Sequence, residues 1–154
     1  MQKNHEWLQG EISRFENACR EAGLRLTHQR LEIYRELASA SDHPSAETLH
    51  QRLRQRMPML SLDTVYRTLS TLAQYGLIHK VDTAESQSRF DAAPVKHHHL
   101  ICSRCKEIVD FGWREIDEAP LPEEIHSWGC IGSKSIVAYG VCRKCLENEV
   151  PPSP

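Results

Sequence analysis

The chain contains His97-His98-His99-Leu100-Ile101-Cys102-Ser103-Arg104-Cys105 and, near its end, Cys142-Arg143-Lys144-Cys145. Each Cys-x-x-Cys pair can place two sulfur atoms on one metal ion. Four thiolates then complete a tetrahedron that leaves no coordination position for a substrate. These cysteines therefore predict a structural zinc site that fastens the C-terminal segment to the strand at 100–105, with further structure inserted between the two pairs. The competing interpretation is a thioredoxin-like redox pair, which needs a Cys-x-x-Cys at a helix N-terminus in a βαβ unit, and the sequence offers none.

The three histidines predict a second metal site of different chemistry. Side chains two apart on a strand point the same way, so His97 and His99 share a face and His98 points to the other. A single histidine is more often structural than ligating, but two on one face supply half of a metal site. His98 is predicted to belong to neither site. The candidates to complete the ligand set are Asp91, Asp110 and His43.

The composition suits one or two small globular domains. The chain has 154 residues, of which 40% are hydrophobic and 26% charged. It contains no long apolar run and no signal pattern, so we expect a cytoplasmic protein with reduced thiols. Residues 1–80 contain 11 Lys and Arg against 9 Asp and Glu, whereas residues 81–154 contain 8 against 12. This asymmetry favours DNA contact in the first half and cation binding in the second, although solvated surface charge explains it equally well.

The first half predicts four helices followed by two short strands. A helix over 7–23 ends at Gly23, and Thr27, Ser45 and Ser61 are the predicted N-caps of the next three. The last helix runs to about residue 75, and strands follow at 77–81 and 88–91. This is the layout of a winged helix-turn-helix, in which helix 61–75 would enter the major groove. An ordinary amphipathic helix packed on its neighbours is the alternative for that segment.

The second half predicts a smaller mixed domain. Strands are expected near 97–101, 107–111 and 134–141, with a helix near 122–128. The predicted organisation is a DNA-binding domain over 1–91, a hinge over 92–96, a metal-binding and dimerisation domain over 97–149, and a disordered tail over 150–154. Cys19 and Cys130 are predicted to be small buried apolar residues.

Several segments together resemble the ferric uptake regulator (Fur) family of metal-dependent bacterial repressors. They are distributed over about residues 20–146 and are specific in combination. The resemblance implies an α+β fold, with an N-terminal winged helix-turn-helix domain and a small α/β dimerisation domain that holds the four-cysteine zinc site. The matching segments are Arg25-Leu26-Thr27-His28-Gln29-Arg30, His43-Pro44-Ser45-Ala46-Glu47, Asp63-Thr64-Val65-Tyr66-Arg67-Thr68-Leu69, Arg89-Phe90-Asp91, His97-His98-His99-Leu100-Ile101-Cys102 and Gly140-Val141-Cys142-Arg143-Lys144-Cys145.

Within that family the sequence is most similar to the peroxide-responsive branch. The resemblance implies a regulatory site for Fe²⁺ or Mn²⁺ formed by three histidines and two aspartates. Iron-sensing relatives usually carry Glu at the two aspartate positions, and many have further ligands where this chain has Lys96, His98 and Lys134. Lys106 stands where the family usually has Gly. The matching ligand positions are His43, Asp91, His97, His99 and Asp110.

The resemblance also implies a mechanism and a partner. Five ligands leave one open position on a six-coordinate metal, where Fe²⁺ could reduce peroxide, and a ligand histidine, His43 or His97, would become 2-oxo-histidine. The protein would act as a homodimer on a double-stranded operator of pseudo-palindromic symmetry. The alternative is a regulator of iron or other divalent-metal uptake. A hydrolytic metalloenzyme is disfavoured because no His-Glu-x-x-His or deaminase-type motif is present.

The DNA contacts are predicted mainly on helix 61–75. Its outer face carries no Asp or Glu after Asp63, which suits an approach to phosphates. For each candidate the alternative is an ordinary solvated side chain. Tyr66 and Arg67 are the first candidates, Thr64 and Ser70 the second, and Arg25, Gln29 and Arg30 could reach the backbone or the minor groove.

Overall fold

The computed structural model describes residues 5–83 and 87–148. The predicted tail over 150–154 lies outside these residues. The chain divides into two compact units, Met1–Pro94 and Val95–Pro154, which we call the N-terminal and the C-terminal unit. Each is described separately.

Four helices build the N-terminal unit: α1 (His5–Glu21), α2 (His28–Ser39), α3 (Ala46–Leu53) and α4 (Leu62–Gln74). All three predicted N-caps are confirmed. Thr27, Ser45 and Ser61 each accept a hydrogen bond from the backbone N–H three residues later, at 3.1–3.2 Å. Each cap satisfies an otherwise unpaired helix amide and stabilises the unit by roughly 1 kcal/mol.

Two glycines end helices as the sequence predicted. Gly23 (φ 68°) and Gly76 (φ 70°) adopt the left-handed conformation that glycine tolerates best. After Gly76, the N–H of Leu77 donates to the carbonyl of Leu72 at 2.9 Å and so closes the last turn of α4. Because this amide is used in the helix end, the first strand begins later than predicted.

The helices enclose an apolar core that the short β1–β2 pair completes. Phe15 and Tyr34 stack with ring centroids 3.8 Å apart, and Cys19 is buried beside them as predicted. Burial raises the pKa of Tyr34 to about 12. β1 (His79–Val81) and β2 (Arg89–Asp91) are antiparallel, and Phe90 of β2 packs into the core. The order of helices followed by a hairpin agrees with the predicted winged-helix layout.

The C-terminal unit contains a three-stranded sheet in the order β4-β3-β5. Strand β3 (His98–Cys102) pairs antiparallel with β4 (Ile108–Phe111) and parallel with β5 (Val137–Gly140). Helix α5 (Arg114–Glu118) follows β4, and α6 (Arg143–Glu147) follows β5. Both helices were missed from the sequence because five residues are too few to show a helical period.

One further prediction for this unit was confirmed and one was wrong. The helix predicted near 122–128 is present as a 3₁₀ helix, Glu123–Trp128. Cys130 is exposed rather than buried, because residues 122–130 are all exposed and no element of the described chain covers them. None of the helices in the described ranges combines the length and apolar composition needed to cross a bilayer.

Candidate metal centres and DNA-facing helix

The two Cys-x-x-Cys pairs come together at one end of the sheet in the C-terminal unit. Their four sulfur atoms all lie within 4.8 Å of one another. The Sγ atoms of Cys102 and Cys145 are 3.9 Å apart, and those of Cys105 and Cys142 are 3.6 Å apart. Tetrahedral zinc with Zn–S bonds of about 2.3 Å requires sulfurs about 3.8 Å apart. The arrangement therefore has the dimensions of a closed four-thiolate zinc site.

A cation is needed for all four cysteine thiols of this cluster to ionise together. The amide of Cys142 donates to Cys102 Sγ at 3.3 Å, and this hydrogen bond is the main cause that lowers the pKa of the Cys102 thiol to about 6. The hydrogen bond with Cys142 chiefly raises the pKa of the Cys145 thiol, to about 12. Four sulfurs this close cannot all ionise by themselves, and a divalent ion among them would supply the missing positive charge.

Lys106 occupies a strained position in the turn that holds the first cysteine pair. Its φ is 64°, and its N–H donates to the carbonyl of Cys102 at 3.0 Å. A left-handed conformation costs a residue with a side chain roughly 1–2 kcal/mol relative to glycine. The turn keeps its shape despite the lysine, so the departure from the usual glycine affects strain rather than the ligands.

The imidazoles of His97 and His99 lie close to the carboxylate of Asp110. His98 points to the other face of the sheet. The β3–β4 register pairs His99 directly with Asp110. Asp110 Oδ1 lies 3.4 Å from His99 Nε2 and 3.6 Å from His97 Nε2. The two rings meet edge to face with centroids 4.8 Å apart. Such separations suit ligands that share one ion better than directly hydrogen-bonded groups.

The orientation of His97 is fixed by the backbone before it. Its Nδ1 lies 2.7 Å from the carbonyl of Val95, so we assign the proton of the neutral ring to Nδ1, which donates to that oxygen. The lone pair then belongs to Nε2, the atom nearest Asp110. A carbonyl behind a ligating histidine is the usual outer support of a metal site.

The N-terminal unit brings together the other two predicted ligands. The ligand atoms of His43 and Asp91 lie within 4.8 Å of each other. The N–H of Phe90 donates to the carbonyl of Pro44 at 3.1 Å, which holds the loop before α3 against β2. His43 itself is in the left-handed region, with φ 49°. A non-glycine residue in this conformation persists only where its surroundings enforce it.

The preceding residue provides part of that enforcement. Asp42 accepts two hydrogen bonds from the guanidinium of Arg52 on α3, at 2.6 and 3.2 Å. These bonds hold the pKa of Asp42 below its usual range. The loop that carries His43 is thus fixed at Asp42 on one side and at Pro44 on the other. Arg52 was not predicted from the sequence, because its partner Asp42 lies ten positions away.

His98 makes packing and polar contacts within the C-terminal unit, and its exclusion from both metal sites stays a prediction. It is fully buried and packs against Phe111, with ring centroids 5.4 Å apart. Its Nδ1 accepts from the N–H of Ile136 at 3.1 Å, and its Nε2 lies 3.5 Å from Asp117 Oδ1. Lys96 also pairs with that carboxylate, at 2.9 Å. His98 therefore fastens β3 to α5 and to the segment before β5.

The candidates for DNA contact are distributed over α4 and the start of α2. Tyr66, Arg67 and Ser70 are exposed on α4. Arg67 pairs with Asp63 at 2.8 Å, but both side chains are at least 70% exposed, so this pair can exchange for a phosphate at little cost. Thr64 is less accessible because its hydroxyl lies 2.8 Å from Ser61 Oγ in the helix cap. On α2 and the residues before it, Arg25 and Gln29 are exposed, while the guanidinium of Arg30 donates to the carbonyl of Arg25.

Comparison with known proteins gives a consistent result. The model of the Ferric uptake regulator family matches residues 21–130. The peroxide-responsive repressor PerR of Staphylococcus epidermidis is 33% identical over 144 residues, covering 93% of this chain and 95% of that protein. The Helicobacter pylori ferric uptake regulator Fur, described as having three functional metal binding sites, matches with a TM-score of 0.72 and 26% identity, over 93% of this chain and 96% of that one. A zinc uptake regulator complexed with zinc and DNA matches with a TM-score of 0.67 and 26% identity, over 92% and 97%.

Proposed function

This chain belongs to the ferric uptake regulator family, and we propose that it is a metal-dependent, DNA-binding repressor that senses peroxide through oxidation of a ligand histidine. It is a transcriptional regulator rather than an enzyme. One observation supports the peroxide proposal. The candidate regulatory ligands in the two units are imidazoles and carboxylates without a cysteine, and both carboxylates belong to aspartates.

The zinc site has a structural task in this proposal. Cys102, Cys105, Cys142 and Cys145 would hold Zn²⁺ in a closed shell that neither binds substrate nor exchanges readily. Because Cys102 is the last residue of β3 and Cys142 lies between β5 and α6, the ion would join the C-terminal end of β3 to the C-terminal end of β5. Zinc-bound thiolates are also comparatively protected, which argues against cysteine oxidation as the sensing reaction.

The regulatory site would form from two preformed halves. His97, His99 and Asp110 converge within the C-terminal unit, and His43 and Asp91 converge within the N-terminal unit. We propose that one Fe²⁺ or Mn²⁺ binds all five. Nitrogen and oxygen donors suit these ions, and five ligands leave a sixth position open. The ion would link the DNA-binding domain (1–91) across the hinge (92–96) to the dimerisation domain (97–149).

Peroxide chemistry would follow from the identity of the bound ion. Held by these residues, Fe²⁺ would supply reducing electrons for the cleavage of a peroxide O–O bond, whereas Mn²⁺ would supply them much less readily. His43 and His97 are the rings we expect to be oxidised. Overall, one oxygen atom of hydrogen peroxide would enter the ring, the ring C–H would become C=O with its hydrogen moved to a ring nitrogen, and the rest of the peroxide would leave as water. The oxidised ring is a poorer ligand, so the link between the domains would be lost.

DNA binding would require a dimer. Leu100 and Val109 face each other across β3 and β4 and are 45% and 47% exposed, a paired apolar surface that a second copy could cover. The dimer would present α4 of each copy, with Tyr66 and Arg67 foremost, to half-sites about 34–36 Å apart on a pseudo-palindromic operator. We expect the protein to act in the cytoplasm, where its operator DNA is found.

A regulator of iron uptake is the second candidate. It is favoured by the higher TM-score of the Helicobacter pylori Fur structure, 0.72, against 0.52 for PerR of Streptococcus pyogenes. The two candidates differ in what low peroxide does to the iron-loaded protein, since only the peroxide sensor should be inactivated with oxidation of its own ligands.

The test begins with a duplex enriched from a randomised pool by the Mn²⁺-loaded protein. The protein is then loaded anaerobically with Fe²⁺ or Mn²⁺, exposed to low peroxide, and assayed for binding and for peptide mass. We expect only the Fe²⁺ form to lose binding, with one added oxygen on His43 or His97. His98 is an internal control because it is buried on the other face of β3. An Fe²⁺ form that keeps binding with unmodified histidines would favour the iron regulator, and failure to enrich any duplex would contradict a repressor.

A further inference from the structure

Tyr66, the foremost candidate for base contact, is already engaged within the N-terminal unit. Its ring lies on the outer face of α4 and is 40% exposed. Its hydroxyl donates a hydrogen bond to Oε1 of Glu47, which belongs to the first turn of α3. The hydroxyl proton of Tyr66, which is the one hydrogen-bond donor of this side chain, is therefore directed to a carboxylate of the protein itself and not to DNA.

The carboxylate that receives this proton is held by a rigid element. Helix α3 begins at the cap formed by Ser45, whose side chain accepts from the N–H of Thr48 at 3.2 Å and is 2% exposed. Ala46 and Leu49, on either side of Glu47 in that turn, are fully buried in the core. Glu47 consequently has little freedom to follow Tyr66 toward DNA, and Tyr66 must adapt to Glu47.

The charges of the two partners reinforce the direction of the bond. The hydrogen bond from Tyr66 holds the pKa of Glu47 below its usual range, and the same bond raises the pKa of Tyr66. Glu47 therefore remains an acceptor and Tyr66 remains a donor at neutral pH. A carboxylate accepting from a hydroxyl is among the stronger neutral-to-charged hydrogen bonds.

We propose that Glu47 is a specificity-determining positioning residue, which fixes the ring of Tyr66 and takes its hydroxyl proton so that Tyr66 reads DNA as an acceptor only. This rests on the proposed function as a DNA-binding repressor. A phenolic oxygen has one donor and accepting lone pairs. With the donor used by Glu47, the oxygen can accept from the exocyclic amino groups of adenine or cytosine, but cannot donate to the N7 or O6 acceptors of guanine.

A carboxylate beside a DNA-facing helix has a second consequence. It repels phosphates and lowers affinity for every sequence alike. Glu47→Ala removes both the charge and the acceptor, whereas Glu47→Gln removes the charge and keeps an accepting oxygen for Tyr66. The two variants therefore separate positioning from general electrostatics. Glu36→Ala is the matched control, because it removes another acid of the same unit that pairs with Arg56 and not with Tyr66.

The experiment uses the full chain loaded with Zn²⁺ and Mn²⁺ and a duplex enriched from a random pool by the wild-type protein. The measured quantity is the affinity for this duplex divided by that for a scrambled duplex. We expect Glu47→Ala and Tyr66→Phe each to lower the ratio roughly tenfold, the scale of one lost base contact. The double variant should lose no more than either single one, and Glu47→Gln and Glu36→Ala should stay within about threefold of wild type.

The outcomes of this experiment distinguish a failure of the inference about Glu47 from a failure of the proposed DNA-binding function. If Glu47→Ala lowers the ratio equally in the wild-type and the Tyr66→Phe backgrounds, Glu47 acts independently of Tyr66 and the inference is overturned. An unchanged ratio for Tyr66→Phe overturns it as well, and does so even if Glu47→Ala fails to fold. If the wild-type protein enriches no duplex, the proposed function fails instead. Thermal midpoint and zinc content, measured on each variant, identify any loss of folding.

Discussion

Replacing Cys142 by serine is expected to unfold the C-terminal unit while the N-terminal unit stays folded. Cys142 supplies one sulfur of the cluster, and its N–H also donates to Cys102 Sγ. Serine would leave three thiolates and a weak oxygen donor, so zinc should be retained far less tightly. Without the ion, the C-terminal ends of β3 and β5 would be joined by hydrogen bonds alone, such as the one from the N–H of Ser103 to the carbonyl of Gly140 at 2.8 Å.

The magnitude follows from how little apolar side chain this unit buries. Among its described residues the buried apolar side chains, apart from the candidate zinc ligand Cys102, are Ile101 and Ile108, and burial of each isoleucine stabilises folding by about 1.5–3 kcal/mol. Ordering the backbone costs roughly 1–2 kcal/mol per residue. A structural zinc ion contributes on the order of 10–16 kcal/mol. The ion is therefore the largest single favourable contribution that a lone copy of this unit has.

The measurement combines zinc content with amide hydrogen exchange. In Cys142→Ser we expect less than a tenth of the zinc per chain. At a fixed free zinc concentration, taking a site from about 99% to below about 10% occupancy requires a roughly thousandfold loss of affinity, or ~4 kcal/mol. Amides of β3 and β5 should lose protection, and those of α2 and α4 should keep it. Cys130→Ser is the matched control, because Cys130 is exposed and outside the cluster. A zinc-free variant whose β3 and β5 amides remained protected would refute the reasoning.

Two smaller changes test local energetics. Lys106→Gly should raise the unfolding free energy of the zinc-loaded C-terminal unit by up to about 1 kcal/mol, since glycine relieves the strain at φ 64° but adds conformational freedom to the unfolded chain. Chemical denaturation measures this free energy, and a variant less stable than the wild type would contradict the prediction. Burial raises the pKa of Tyr34 in the folded chain to about 12, from the usual ~10 of an exposed tyrosine. Its contribution to stability is therefore complete below pH ~10 and is lost as pH rises toward ~12. Tyr34→Phe should flatten the fall in stability over that window, and an unchanged slope would show that another group causes it.

Patterns confined to a few neighbouring residues predicted much of the fold. The caps at Thr27, Ser45 and Ser61 each involve groups three positions apart, so the sequence contains the whole interaction. Strand alternation also predicted that His97 and His99 share a face, although β3 begins only at His98 and the His97 ring is oriented by the carbonyl of Val95. The helices α5 and α6 escaped detection for the converse reason, since short helices in this unit depend on packing and on the cysteine cluster rather than on their own periodicity.

Side-chain pairs distant in sequence could not be predicted. The hydrogen bond from Tyr66 to Glu47 joins positions on different helices, and the Arg52–Asp42 pair joins a helix to a loop. His98 lies outside both groups of candidate ligands, and its partners Ile136 and Asp117 were not foreseen. Each of these contacts depends on how elements pack, and many packings are compatible with the same local pattern.

The sequence by itself determined the chemistry: four thiolates for a closed site, and imidazoles with carboxylates for an open one. The sequence also determined the order of the helices in the N-terminal unit and membership of the ferric uptake regulator family. The tertiary structure decided which atoms face one another. It set the sulfur separations near 3.6–3.9 Å, aimed His97 and His99 at Asp110, and engaged the hydroxyl of Tyr66. Residue type fixes what a group can do, whereas distances between remote groups arise only when the core has packed.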